Sequence, residues 1–121
     1  MNTNDNVNQP KHYCSHPSGI ECIQIAELLP FNLGNAIKYL WRSDLKWDKQ
    51  EDTKKAIFYL RRQAALGKLP TYTAQECSQI KASLDCIKAT DVELYATCYI
   101  ITFGTFIEWL SLAKKLERDN V

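Results

Sequence analysis

The sequence predicts an all-α fold, and three observations carry that prediction. Apolar residues recur at helical spacings of three and four, and two Thr-x-x-Glu capping boxes stand before apolar runs. No stretch alternates apolar and polar residues as a half-buried strand would. The 121 residues are 45% hydrophobic and 24% charged, which is typical of one globular domain with its own core. We therefore expect a small bundle of about five helices.

The first two helices are bounded by local signals. A short helix is predicted over 21–29, where Pro30 ends it because proline cannot continue a helix. Asn32 is expected to cap the second helix, over 33–43, by accepting a hydrogen bond from an early helical N–H. The residues from 43 to 50 form a charged connection.

Three further helices are predicted after that connection. The third runs over 51–66, and Gly67 is a plausible left-handed stop. The capping box that begins at Thr73 opens a helix over 74–88. The box that begins at Thr90 opens a last helix that continues towards residue 117.

The last helix is expected to be long and to lie at a subunit interface. Unbroken, it spans roughly 27 residues, or roughly 40 Å at 1.5 Å per residue. Apolar side chains occur on more than one of its sides, so it must be buried on nearly all sides. Because a chain of 121 residues offers little to cover it, we expect a homo-oligomer. The alternative is a compact monomer with this helix at its centre.

Composition excludes several classes of protein. The longest apolar run, 98–113, contains Glu108 and is shorter than the roughly 20 residues that span a bilayer. Residues 1–9 are polar, so we expect a flexible tail rather than a signal peptide. Five cysteines at irregular spacing predict reduced thiols in a cytoplasm. The net charge is only +1, but residues 38–68 carry nine bases and four acids, which favours an anionic ligand.

Known phosphate-binding and metal motifs are missing. The four glycines stand far apart, so no phosphate loop or dinucleotide fingerprint can be assembled, and phosphates would be held by side chains and helix ends. The residue types that bind zinc cluster at His12, Cys14, His16 and Cys22. A structural zinc site shows tighter pairing of ligands, so we predict no metal site and keep zinc as the alternative.

One face of the second helix has the chemistry of an anion site. Asn35, Lys38 and Arg42 are spaced by three and four, so their side chains share a face. Lys38 and Arg42 are a like-charged pair four residues apart, which costs a few tenths of a kcal/mol in an isolated helix. An anion bound between them would reverse that cost. Gly34 lets a neighbouring backbone or a ligand approach closely. The alternative is a solvated basic surface.

The third helix repeats this pattern. Asp52, Lys55, Tyr59 and Arg62 follow one another at spacings of three and four and line one face. A simpler role for Lys55 is an ion pair with Glu51 in the same helix. If the faces of the two helices meet, they form a slot of cations, an amide, a carboxylate and phenol rings. Such a slot suits the phosphate of a nucleotide.

A resemblance to a known family covers about residues 10–62. The segments that carry it are Pro10-Lys-His-Tyr13, Gly19-Ile-Glu-Cys-Ile23, Gly34-Asn-Ala-Ile-Lys-Tyr-Leu-Trp-Arg42, Lys46 and Glu51-Asp-x-Lys-Lys-Ala-x-x-Tyr-Leu60. Their order resembles a small family of bacteriophage proteins of unknown function. The early nucleotide kinase of coliphage T7 has a similar domain at its C-terminal end. The resemblance implies a phage origin and a helical domain over 10–68 that handles nucleoside phosphates. Residues 69–121 lie outside the resemblance, which implies nothing about them, and we expect them to form an appended helical hairpin packed on that domain.

The resemblance also marks the candidate site residues. These are His12, Tyr13, Glu21, Asn35, Lys38, Tyr39, Arg42, Lys46, Asp52, Lys55 and Tyr59. The cations expected to hold phosphate are Lys38, Arg42 and Lys55. The side chains expected to contact a base or ribose are Asn35, Tyr39 and Tyr59. The residues expected to close the site are His12 and Tyr13.

Three functions remain open at this stage. The first is a phage protein that binds a nucleotide or nucleotide-derived signal of the host and sequesters it. The second is an unconventional nucleoside-monophosphate kinase, in which His12 or Asp52 transfers the proton and Glu21 with Asp52 holds Mg²⁺. The third is an interaction protein that inhibits a host protein. We do not expect a nucleic-acid partner, because no known recognition motif is present and the pI is only 7.6.

Overall fold

The computed structural model describes residues 16–43 and 49–120, except for the side chains of 42 and 43. This part of the chain contains six helices and no strand, and five of the helices have 12 or more residues. The all-α prediction is therefore confirmed. In chain order the helices are α1 (Ile23–Ala26), α2 (Phe31–Ser43), α3 (Lys49–Leu66), α4 (Ala74–Thr90), α5 (Val92–Phe103) and α6 (Phe106–Asp119).

The contact between α2 and α3 forms the largest helix–helix interface. The buried apolar residues that the two helices contribute to the core recur at spacings of three and four: Leu33, Ala36, Ile37, Leu40, Trp41, Ala56, Ile57 and Leu60. Around this pair, α6 packs against α3, α5 contacts α2, and α1 contacts both α2 and α4. None of the described helices is both long enough and apolar enough to cross a membrane.

The start of the chain differs from the prediction in two respects. The helix expected over 21–29 is a single turn, α1, followed by a turn at residues 27 and 28. Asn32 lies inside α2 and does not cap it, because the carbonyl of Pro30 already accepts from the Gly34 N–H at 2.9 Å. The amide of Asn32 instead donates to Gln63 Oε1 on α3 at 3.3 Å.

Two of the predicted helix boundaries are confirmed. Gly67 follows α3 with a φ of +67°, the left-handed conformation that favours glycine. Thr73 and Glu76 form the expected capping box, in which the Glu76 N–H donates to Thr73 Oγ1 at 3.0 Å and the Thr73 N–H donates to Glu76 Oε1 at 2.8 Å.

The predicted capping box at Thr90 is wrong. The Thr90 hydroxyl donates to the carbonyl of Ile87 at 3.3 Å and so belongs to the last turn of α4. The carboxylate of Asp91 accepts from the Leu94 N–H at 3.0 Å and caps α5 instead. An aspartate satisfies a free helical N–H as well as a threonine does, so the cap moves by one residue.

The long last helix is also wrong, because Gly104 and Thr105 adopt extended backbone and divide it into α5 and α6. The break frees the carbonyls of Ile101 and Thr102 at the end of α5, and side chains satisfy them, whereas the Ile100 carbonyl still accepts from the Gly104 N–H at 2.8 Å. The buried Trp109 indole N–H donates to the carbonyls of residues 100 and 101, both at 3.2 Å. The Tyr72 hydroxyl donates to the Thr102 carbonyl at 2.9 Å. Glu108 Oε1 accepts from the Thr105 N–H at 3.1 Å.

Burial of the apolar residues in α5 and α6 is incomplete. Trp109 and Leu112 are buried, whereas Ile107 is 76% exposed and Leu110 and Tyr99 are each 44% exposed. The expectation of burial on nearly all sides thus holds for only part of this segment. The homo-oligomer stays a prediction.

Replacement of Gly104 by alanine tests the break. In an unbroken helix, Gly→Ala stabilises by about 1 kcal/mol. Here a Cβ at residue 104 would fall on the carbonyl oxygen of Ile100 and lie 3.3 Å from the Cβ of Glu108. We therefore expect Gly104→Ala to lower the free energy of unfolding by about 1–3 kcal/mol in urea denaturation.

Ser111→Ala is the matched control, because Ser111 is exposed in the interior of α6. It should change the free energy of unfolding by no more than about 0.5 kcal/mol, and in the stabilising direction. A stabilised Gly104→Ala protein would mean that α5 and α6 form one continuous helix.

Candidate functional site

The outer edges of α2 and α3 bring four of the predicted binding residues together. Lys38 Nζ lies 4.6 Å from the centroid of the Tyr39 ring, and Lys55 Nζ, from the other helix, lies 5.3 Å from the same centroid. Tyr39 and Tyr59 are parallel within 3°, with centroids 6.0 Å apart. Cations at these distances are attracted by the electron-rich face of a ring. These four residues of the two basic helices therefore meet around the Tyr39 ring.

Two like charges beside one ring make this place attractive to an anion. Lys38 is half-buried and Lys55 is exposed. Each ammonium group is attracted by the ring, and both carry the same charge. An anion that reached both ammonium groups would be attracted by each of them.

A pocket of about 320 Å³ between α1 and α2 adjoins this centre. It is lined by Cys22, Ile23, Ala26, Glu27, Gly34, Asn35 and Lys38. The helices come close because residue 34 has no side chain: a Cβ there would lie 2.8 Å from the carbonyl oxygen of Ala26. The expected close approach at Gly34 is thus present. Lys38 borders both the pocket and the aromatic centre.

Cys22 forms the inner end of this pocket and is 2% exposed. Burial raises the pKa of its thiol to about 12, and the nearby charge of Lys38 only partly opposes that rise. The thiol therefore stays protonated at neutral pH. Within the described ranges, no three His, Cys, Asp or Glu side chains are grouped so that they could hold a metal ion.

The predicted carboxylates do not lie on the exposed face. Asp52 is in the first turn of α3, where the helix dipole favours a negative charge, and its side chain is only 1% exposed. Lys55 is exposed and Tyr59 is half-buried, so the predicted face straddles the edge of the core. Glu21 is half-buried in the turn before α1. The catalytic role of Asp52 stays a prediction.

The remaining predicted site residues cannot be located. His12, Tyr13 and Lys46 lie outside the described residues, as does the side chain of Arg42. The same holds for Cys14 of the alternative zinc cluster.

A polar network that the sequence did not predict ties the N-terminal loop to α5. His16 Nε2 lies 3.2 Å from Asp91 Oδ2, while its Nδ1 accepts from the Ser18 N–H at 3.1 Å. Because Nδ1 accepts, Nε2 carries the proton that is donated to Asp91. The His16 ring also lies 5.4 Å from that of Trp41. Since 75 residues separate the two partners, no local pattern could have indicated this contact.

A second cleft, of about 600 Å³, was also not predicted and lies between α3 and α6. It is lined by Lys54, Ile57, Phe58, Arg61, Arg62, Glu117 and Asn120. Arg61 Nη2 lies 3.2 Å from Glu117 Oε2 across the cleft. The helical spacing of Lys54, Phe58 and Arg62, each four residues from the next, was the sequence signal that could have indicated it.

The comparison with protein families matches one part of the chain. Residues 7–61 match a family described as a protein of unknown function (DUF3310). This segment contains Lys38, Tyr39, Lys55 and Tyr59, and it leaves α4, α5 and α6 outside the match. No curated protein and no solved structure matches the chain.

The buried thiol predicts how stability depends on pH. Folded Cys22 keeps its proton up to about pH 12, whereas its ordinary pKa is 9.0. Its contribution to stability is therefore complete below pH 9.0 and is lost as the pH rises towards 12, since only the unfolded chain ionises in that interval. The loss should be about 1.4 kcal/mol for each pH unit above 9.

Cys22→Ala separates this effect from the other groups that titrate in base. We expect the variant to be less stable than the wild type at pH 8, and the difference in free energy of unfolding to shrink as the pH approaches 10.5. Urea denaturation at several pH values measures both proteins. Curves that stay parallel from pH 8 to 10.5 would contradict burial of this thiol.

Proposed function

We propose that the edge formed by α2 and α3 binds a nucleotide or a nucleotide-derived phosphate. The observation that carries the proposal is the placement of Lys38 Nζ and Lys55 Nζ within 5.3 Å of one ring centroid, that of Tyr39. The phosphate would lie between the two ammonium groups, which come from different helices. On sequence grounds Arg42 adds a third cation.

The adjoining pocket supports an aromatic, base-like group on the same ligand. Its volume of about 320 Å³ is at the lower end of the roughly 300–1,000 Å³ that small-molecule sites occupy. Its walls are mainly apolar, with Ile23 and Ala26 among them, and the amide of Asn35 offers a donor and an acceptor for a base edge. Because Lys38 borders the pocket and the aromatic centre, one ligand could bridge the two.

We propose that the protein binds the nucleotide without converting it. A phosphoryl-transfer site needs carboxylates that reach a metal and the substrate, whereas the side chain of Asp52 is buried. A protein that holds a nucleotide without reaction would withdraw it from use, and for a phage protein the ligand would be a signal in the host cytoplasm. The phage origin rests on the sequence resemblance.

The other two functions stay as alternatives. The resemblance to the C-terminal domain of the coliphage T7 kinase supports a kinase that uses His12, Asp52 and Mg²⁺. The exposure of Phe31, at 74%, favours a surface that contacts a host protein.

Thermal unfolding with a panel of mono-, di-, tri- and cyclic nucleotides tests the proposal. A bound nucleotide at one hundred times its Kd should add about 2.7 kcal/mol to the free energy of unfolding. Lys38→Gln and Lys55→Gln should each weaken binding by about tenfold, because each removes one charge-assisted contact to phosphate. Isothermal titration calorimetry measures the affinities.

Lys115→Gln is the matched control, since Lys115 is an exposed lysine on α6 outside this site. Its affinity should equal that of the wild type. A flat thermal response across the whole panel would overturn the proposal, and unchanged affinity in both lysine variants would remove them as phosphate ligands.

Incubation with Mg²⁺ and ATP distinguishes binding from turnover. We expect chromatography to recover the bound nucleotide unchanged, because the side chain of Asp52, the residue expected to transfer the proton and hold the metal, is buried. A phosphorylated product that disappears in Asp52→Asn would instead establish the kinase.

A further inference from the structure

The solvent side of α3 presents an aromatic ring between two cations, apart from the site above. Lys54, Phe58 and Arg62 are each four residues from the next and so share one face of the helix. All three are exposed, and Phe58 is 60% exposed. A phenylalanine ring in contact with water gains none of the stabilisation that burial of its apolar surface would give. Its exposure between two cations therefore suggests that a ligand covers it.

The cations of this face are available to a ligand to different degrees. Arg61 is engaged by Glu117 across the cleft at 3.2 Å. Lys54 and Arg62 form no ion pair within residues 16–43 and 49–120. They stand one turn on either side of Phe58, which fits a ligand whose negative charges flank a flat apolar group.

The ring of Phe58 belongs to a wider aromatic surface. Phe58 meets Tyr59 edge-on, with centroids 5.2 Å apart, and Tyr59 meets Phe31 edge-on at 5.9 Å. Phe31 is 74% exposed. Two exposed rings are thus held by one half-buried tyrosine, so more than one base could stack on this surface.

We propose that this face binds single-stranded nucleic acid, with bases stacked on Phe58 and Phe31 and phosphates beside Lys54 and Arg62. The chemistry selects a single strand because a duplex hides the flat faces of its bases, leaving the exposed rings without a partner. A net charge of +1 argues against nucleic acid for the chain as a whole, but Lys54 and Arg62 place two positive charges on this face. The face shares Tyr59 with the nucleotide site but uses none of Lys38, Lys55 and Asn35, so the two proposals can fail separately.

Fluorescence anisotropy with a labelled oligothymidylate of about a dozen nucleotides tests the proposal in low salt. A duplex of the same length is the comparison. We expect the single strand to bind more tightly than the duplex. Phe58→Ala should weaken single-strand binding by about tenfold or more, while Phe58→Trp keeps it, because the indole also offers a stacking face.

The cations are tested through salt dependence. Lys54→Gln and Arg62→Gln should each reduce the slope of log K against log salt by about 0.7, the value for one phosphate contact on a single strand. Lys115→Gln is again the control, because Lys115 precedes Glu117 by two residues and lies on the other side of α6 from the cleft. Its slope and affinity should equal those of the wild type.

Three results would overturn the proposal. They are no binding of the oligonucleotide at low salt, equal binding of single strand and duplex with no effect of Phe58→Ala, and equal competition by polyglutamate, which would show recognition of charge alone. Thermal unfolding verifies that the Phe58 variants are folded. Lys38→Gln should leave oligonucleotide binding within about twofold of the wild type, so failure of one proposal is distinguishable from failure of the other.

Discussion

The apolar contact between α2 and α3 determines which side chains of both helices face solvent. Each buried residue of this contact, such as Ile37 or Leu60, contributes about 1.5–3 kcal/mol, whereas a like-charged pair on a helix surface costs a few tenths of a kcal/mol. Burial terms of this size outweigh a repulsion at the surface, so the packing of the core determines that Lys38 and Lys55 lie beside Tyr39. The proposed site is in this sense prepared by the hydrophobic core.

The break between α5 and α6 has a consequence at the far end of α6. Because the chain turns at Gly104, α6 packs along α3 and places Glu117 against Arg61. The Asn120 amide donates to the Gln50 carbonyl at 3.3 Å and holds the end of α6 near the start of α3. An uninterrupted helix would carry these residues away from α3, and the cleft beside Phe58 would lose one wall. The Trp109 indole donates to carbonyls at the end of α5 and so stabilises the break between the two helices. It therefore helps to hold α6 beside the cleft, although Trp109 does not line the cleft itself.

Features that depend on the helical period could be predicted from the sequence. Predictions were wrong where two local signals compete, and contacts between residues distant in the sequence were not predicted. The meeting of Lys38 and Lys55 at Tyr39 follows from spacing on two amphipathic helices. A local signal for the break at Gly104 is present in the sequence, since Thr105 and Glu108 match a capping box. The continuous apolar run around it favoured one long helix instead. Burial of Asp52 was not predictable, because an acid in a first turn is equally favourable when exposed. The partner of His16 depends on tertiary packing alone.

Segregation of charge explains how a nearly neutral chain can present a basic surface. Residues 38–68 carry a net +5 and the remaining residues a net −4, so charge is segregated along the sequence although the total is +1. The two proposed surfaces lie side by side on α3. Lys55 follows Lys54 and Tyr59 follows Phe58, so one surface is turned by about 100° around the helix axis from the other. The ring contact between Phe58 and Tyr59 joins them. Two anionic ligands bound at once would therefore share one helix and one positive field, and each would reduce the attraction felt by the other.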